Sequence, residues 1–209
     1  MEDDRRKNLF VRLEKASFTE DVRERTHDEL LVPSNAVVKR QMESNRLSKF
    51  KKEGLRGAAQ QSERRAKEYS DKLVTAEGGP SAKRDALMKK HATSSAGSPF
   101  ISGTPEFTTG HGGQLSYMKE NLKSGSPQVV NIYETERAQP NTFNKREHEL
   151  LLPVGARRSE RVGALHVLPV KKDGMVKMVR PMFVDLSGEK PKLYVGARAV
   201  ERFKDMSRK

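Results

Sequence analysis

The sequence predicts an α+β fold with mostly antiparallel strands, and three observations carry that expectation. Segments rich in Ala, Gln, Glu, Lys and Arg, at residues 58–77 and 82–91, read as helices and lie early in the chain. β-Prone runs at 128–133, 162–170, 175–184 and 192–195 lie late. Between the two longest, Lys171-Lys172-Asp173-Gly174 carries the Asp-Gly pair that closes a tight antiparallel hairpin. Helices first and strands later point to α+β with mostly antiparallel pairing.

Composition narrows the class of protein. The 209 residues suit one domain with an appended arm. There are 41 Lys and Arg against 28 Asp and Glu, a net charge of +13, and only 34% of residues are hydrophobic. A modest core and long polar segments are expected. The positive excess favours an acidic partner: nucleic acid, an anionic cofactor, an acidic protein surface or a negatively lined channel. Spread along the whole chain, the same charges also serve solubility. The chain has no cysteine, which excludes disulfides and Cys-bound zinc. His111, His148 and His166 lack zinc spacing, so no metal is expected. Nothing approaches the ~18 consecutive apolar residues of a membrane span. The opening Met-Glu-Asp-Asp-Arg-Arg is no signal peptide, so export by the general secretory route is not expected.

Residues 1–35 read as an amphipathic helical arm, because Leu9, Phe10, Leu13, Phe18, Val22, Leu30 and Leu31 recur with partial helical spacing until Pro33 stops them. The main domain is expected over 36–209. Ala36, Val37 and Val38 form a small β-prone patch ending in Lys39 and Arg40, followed by a short helix with Leu47 and Phe50 that Gly54 and Gly57 close. After the helices at 58–77 and 82–91, residues 93–97 are a Ser and Gly linker, and 99–105 a short strand leading into a loop. Residues 108–113 are glycine-rich but have no feeding strand and no Walker spacing, so they read as a flexible loop. A helix is expected over 115–122, a strand over 128–133, a polar connection over 134–143 and a closing basic helix over 197–206.

The stretch 144–155, Asn-Lys-Arg-Glu-His-Glu-Leu-Leu-Leu-Pro-Val-Gly, holds the densest chemistry. Residues i and i+2 of a strand share a face, so Glu147 and Glu149 would aim at one ligand while His148 faces away. Two carboxylates on one face repel when desolvated, which is unfavourable unless a ligand uses them. The bland alternative is a solvated strand start, screened by Arg146 and water.

Three patches taken together carry a resemblance: Val37-Val38-Lys39-Arg40, then Pro99-Phe100-Ile101-Ser102-Gly103-Thr104, then Glu147-His148-Glu149-Leu-Leu-Leu-Pro-Val-Gly. In this order they resemble the arginine, Ser-Thr-Ser and Glu-x-Glu signature of cholera-toxin-like mono-ADP-ribosyltransferases. The likeness extends to C-terminal effector domains of Tc-toxin and Rhs-type polymorphic toxins, in which a histidine-bearing helix and Ser-Pro-Phe-Ile-Ser also occur, here at 87–104. The match runs from about residue 36 to residue 170. The middle residue of the hydroxyl motif is lost, since Ser102-Gly103-Thr104 stands in its place.

That resemblance implies two small, roughly perpendicular, mostly antiparallel sheets flanked by N-terminal helices, with NAD bound as a substrate in the cleft between the sheets. It implies Glu149, Glu147 and Ser102 as catalytic residues. For NAD binding it implies Arg40, Ser102, Thr104, His91 and Phe107, with Arg56 an alternative to Arg40 and Arg65 a lesser one. Phe143 takes the position of a target-recognition residue. Cleaving the bond between nicotinamide and ribose creates an oxocarbenium-like centre that needs fixed negative charge beside it. Glu149 would accept the ribose 2′-hydroxyl proton and stabilise that cation, and Glu147 would orient or deprotonate the attacking group. Ser102, helped by Thr104, would hold the Glu149 rotamer, and an arginine would offer the pyrophosphate a planar, permanently charged donor fork. The implied role is a secreted toxin effector, carried or encapsulated by a larger toxin complex and acting in the cytoplasm of a target cell. Its target would be an acidic protein such as actin or a small GTPase, or structured RNA. A non-enzymatic basic RNA-binding or assembly protein is the other reading. It accounts for the charge and the arm, but not for two carboxylates opening an apolar strand downstream of Phe-Ile-Ser.

Overall fold

A computed structural model of the chain describes residues 8–15, 30–107, 114–144 and 148–208. These residues form a mixed α+β structure of antiparallel sheets and five α-helices. They divide into two compact units that interleave in sequence. One comprises residues 8–15, 103–107, 114–138 and 158–208, and the other residues 30–102, 139–144 and 148–157.

The first unit is built on a five-stranded antiparallel sheet of β1 (Asn8–Lys15), β4 (Gln128–Thr135), β8 (Arg161–Lys172), β9 (Met175–Asp185) and β10 (Lys192–Val195), in that spatial order. Helices α4 (Gln114–Lys123) and α5 (Ala197–Met206) bury Met118, Leu122, Ala199, Phe203 and Met206 against Val130, Ile132, Leu165, Val167 and Phe183 of the sheet. Strand alternation sends the other residues of β4 to the opposite face. There Tyr133 meets Phe10 at 6.0 Å between ring centroids. On the same face the buried Glu14 carboxylate accepts from Arg12 Nε at 2.9 Å and Asn131 Nδ2 at 3.1 Å. The β8–β9 hairpin turns at Asp173 and Gly174, with φ of 54° and 74°. Both central residues are left-handed, the conformation for which the Asp-Gly pair was read as a turn.

Helices α1 (Asn35–Lys52), α2 (Arg56–Glu77) and α3 (Ala82–Thr93) belong to the second unit, with a two-stranded sheet of β2 (Leu30–Pro33) and β7 (Gly155–Arg157) and a three-stranded sheet of β3 (Phe100–Gly103), β6 (Leu150–Pro153) and β5 (Gln139–Pro140). Ala76, Met88, Phe100 and Leu151 pack as one apolar cluster, and Ala36, Val37 and Leu73 as another. The apolar run of β6 is buried at every position, from Leu150 to Pro153.

Two expectations are corrected here. The helical arm expected over 1–35 has strands at both of its described parts, β1 and β2, while residues 1–7 and 16–29 lie outside the described residues. In β1, Leu9, Val11 and Leu13 alternate toward the cluster under α4 and α5, and Phe10, Arg12 and Glu14 toward the opposite face of the sheet, where Phe10 and Glu14 are also buried. Leu9, Phe10 and Leu13 also fit a helical stripe, so the spacing alone does not separate strand from helix here. The β-prone patch 36–38 is the first turn of α1, where Ala36 and Val37 are buried against Leu73. Tertiary packing there outweighs the strand preference of two valines.

Candidate active site

Within the second unit, the last turn of α3 holds a buried histidine, β3 carries a serine and the segment before β6 carries an acid. The chain brings all three together. His91 Nδ1 lies 2.6 Å from Ser98 Oγ, and its Nε2 lies 2.7 Å from Ser102 Oγ and 3.6 Å from Glu149 Oε1. The imidazole is 5% exposed and the Glu149 side chain 10%, so both are largely covered.

The local folding that produces this is short-range. Ser98 follows the turn after α3, and its carbonyl accepts from the Ala36 N–H at 2.9 Å, which ties the start of α1 to the same loop. Ser98 Oγ accepts from the Phe100 N–H at 3.1 Å. The Phe100 ring stands edge-on to His91 at 6.2 Å. Ser102 lies two residues beyond Phe100, on the same face of β3. The carbonyl of Glu149 accepts from the Asn141 N–H at 2.8 Å, and Glu149 Oε2 accepts from Asn141 Nδ2 at 2.7 Å and Asn144 Nδ2 at 3.3 Å.

These bonds fix directions. The Ser102 hydroxyl has one hydrogen and the Glu149 carboxylate can only accept, so that hydrogen goes to the acid. Ser102 Oγ is left to accept from His91 Nε2, and in the neutral imidazole Nδ1 then accepts from the Ser98 hydroxyl. Every donor in the chain Phe100, Ser98, His91, Ser102 thus points toward the carboxylate. Burial alone would raise the Glu149 pKa, but the donors His91, Ser102, Asn141 and Asn144 outweigh it and hold the group down at about 2. The site presents a fixed carboxylate, ionised at neutral pH, with one oxygen beside a histidine and a serine.

The other site expectations fare differently. Glu147 lies outside the described residues, as does the glycine-rich loop with His111. Arg40 sits on α1 one turn after Ala36, with no side-chain bond among the described residues. Arg56 is exposed in the first turn of α2, and Arg65 reaches Glu43 at 3.9 Å, an acid that Arg46 holds at 3.0 Å. Thr104 lies in the first unit, where its backbone bridges Val11 and its hydroxyl donates to the Glu106 carbonyl at 2.6 Å. Phe107 is likewise a packing residue of the first unit, edge-on to Phe203 at 5.2 Å, and not a free stacking platform. Phe143 is 42% exposed, and its N–H donates to Asn141 Oδ1 at 3.2 Å. It therefore rides on the same turn whose two amides hold Glu149.

Ser98, Asn141 and Asn144 were missed as site residues. The available signals were a serine opening the Ser-Pro-Phe-Ile-Ser run after the histidine, and a pair of turn-forming asparagines shortly before the acids. Comparison with protein-family models, curated proteins and solved structures finds no match for this chain.

Proposed function

We propose that the chain is an NAD-dependent mono-ADP-ribosyltransferase that transfers ADP-ribose to a macromolecule of a host or competitor cell and releases nicotinamide. The observation that carries this reading is the carboxylate of Glu149, held ionised by His91, Ser102, Asn141 and Asn144. Departure of nicotinamide takes the bonding electron pair with it and leaves positive charge on the ribose. A preorganised, largely covered carboxylate stabilises that charge without reorganising at the moment of reaction. With a pKa of about 2, Glu149 is a weak proton acceptor at neutral pH. Its part in the reaction is to accept a hydrogen bond from the ribose 2′-hydroxyl and to supply charge, and proton removal from the attacking group falls to Glu147 or to the acceptor itself. Arg40 remains the proposed pyrophosphate ligand, carried on the helix whose first turn is tied to the Ser98 loop. Acidic proteins and structured RNA are the proposed acceptor classes, in keeping with the net charge of +13. The proposed setting is a toxin effector delivered by a larger complex.

The experiment is incubation with NAD labelled on the adenylate and a cell lysate, following free nicotinamide and labelled macromolecules. Wild-type protein should release nicotinamide and label an acceptor, and Glu149→Gln should do neither. Digestion of the labelled product with protease and with ribonuclease separates the two acceptor classes. Absence of both signals in the wild type would sink the enzyme reading and leave the basic binding protein.

A further inference from the structure

We propose that the uncovered end of the five-stranded sheet in the first unit is a docking groove for an acidic, amphipathic helix of a partner protein. β8 and β9 pair from Gly163↔Asp185 to Lys172↔Met175. β4, however, reaches only to Val167 on β8, and β10 only to Met182 on β9. From Leu168 round the turn to Pro181 the hairpin continues as a two-stranded ribbon with no further strand beside it among the described residues.

α4 and α5 cover the core face of the sheet, but on the ribbon that face runs on past them. There Leu115, Met118, Leu122, Val167, Val176 and Val179 line an open groove between the flank of α4 and the hairpin. Met175 and Met178 also line it, and with Val179 they are 58%, 55% and 43% exposed respectively. The floor is the same apolar surface that two helices of this chain already cover, so the complementary element is a third helix laid down by its apolar stripe. Methionines at such a surface adapt their shape to the occupant.

Charge names the chemistry of that helix. Lys119 and Lys123 on α4 and Lys171 and Lys177 on the hairpin rim the groove, all exposed, and none is paired with a carboxylate among the described residues. Carboxylates flanking an apolar stripe would meet all four. An anionic bilayer offers the same charge, but it is flat and leaves the floor between α4 and the ribbon unfilled. The groove uses none of His91, Ser102 and Glu149, so the inference stands apart from the proposed activity.

The test uses the full chain and a fluorescein-labelled designed peptide of about 18 residues, Leu at helical spacing and Glu on the flanks, read by fluorescence anisotropy. Controls are the same residues scrambled, the peptide with Lys replacing Glu, and vesicles of phosphatidylserine and phosphatidylcholine in equal parts. The acidic amphipathic peptide should bind saturably and weaken with salt. The Lys119→Glu/Lys123→Glu double variant, altered only at exposed helix positions, should bind it at least ~10-fold more weakly. Val179→Asp should weaken it independently. Equal binding of the scrambled or basic peptide, or double-variant affinity within about twofold of wild type, overturns the proposal. Vesicle binding without peptide binding also overturns it, in favour of a membrane surface.

Discussion

At Glu149 two opposed influences meet. Burial disfavours the ionised form, four donors favour it, and the donors prevail by enough to hold the group at about 2. Replacing the acid by its neutral isostere keeps the shape and removes the charge. Glu149→Gln should therefore lower nicotinamide release by ~100- to 1000-fold with the thermal unfolding midpoint nearly unchanged. Because the folded pKa lies below the ordinary 4.5, ionised Glu149 contributes stability that is fully present above pH 4.5 and lost as pH falls through about 2. Asn141→Ala removes one amide donor, which moves the folded pKa back toward the ordinary value. The acid limb of the pH–rate profile should then shift to higher pH, and titration of the Glu149 carboxyl by NMR should move with it. His91 acts as a positioning residue, since it touches the acid only at 3.6 Å and works through Ser102 at 2.7 Å. His91→Ala should reproduce the upward shift, and an unshifted profile in both variants would show that the donors do not set the charge.

The element that joins site to scaffold is β3. A Cβ added at Gly103 would lie 2.5 Å from the Phe10 ring, so the residue between Ser102 and Thr104 is glycine for want of space. Gly103→Ala should cost about 1–3 kcal/mol in chemical denaturation, and Phe10→Leu in the same chain should recover part of it. β3 also shows which elements the sequence disclosed. The hairpin of β8 and β9 was legible because its strands are apolar and its turn chemistry is local, and α2 to α5 were legible from composition and breakers. β1 and the start of α1 were not, because what decides them lies far away. β1 is a strand through its register with β4, from Asn8↔Thr135 to Lys15↔Gln128, and the start of α1 is a helix through its contact with Leu73 and the Ser98 carbonyl. The site divides in the same way. Ser102, His91 and Glu149 could be proposed from motif likeness, whereas Asn141 and Asn144 act only because the Asn141 N–H meets the Glu149 carbonyl. In sequence Thr104 reads as a helper of Ser102 and Phe107 as an aromatic for NAD binding. The passage of the chain into the first unit at residue 103 gave them other partners.

For the whole molecule, the interleaving of the two units makes the described segments Asn8–Lys15 and Leu30–Pro33 of residues 1–35 structural and not accessory. Their described strands bury Phe10, Val11, Leu31 and Val32, each at most 2% exposed. Deleting residues 1–35 takes the edge strand from the five-stranded sheet and the partner of β7 from the second unit. The truncated chain should lose its cooperative thermal transition in circular dichroism, whereas removal of a mere arm would leave that transition in place. No helix among the described residues is long and apolar enough to cross a membrane.

The same threading constrains how the protein is made. β1 waits for β4, β2 waits for β7, and Glu149 arrives only with the segment that precedes β6. Long waits between strand partners slow folding and leave nascent edges bare on the ribosome. A chain halted midway through translation carries His91 and Ser102 but no acid for them to hold, so the buried carboxylate is installed late.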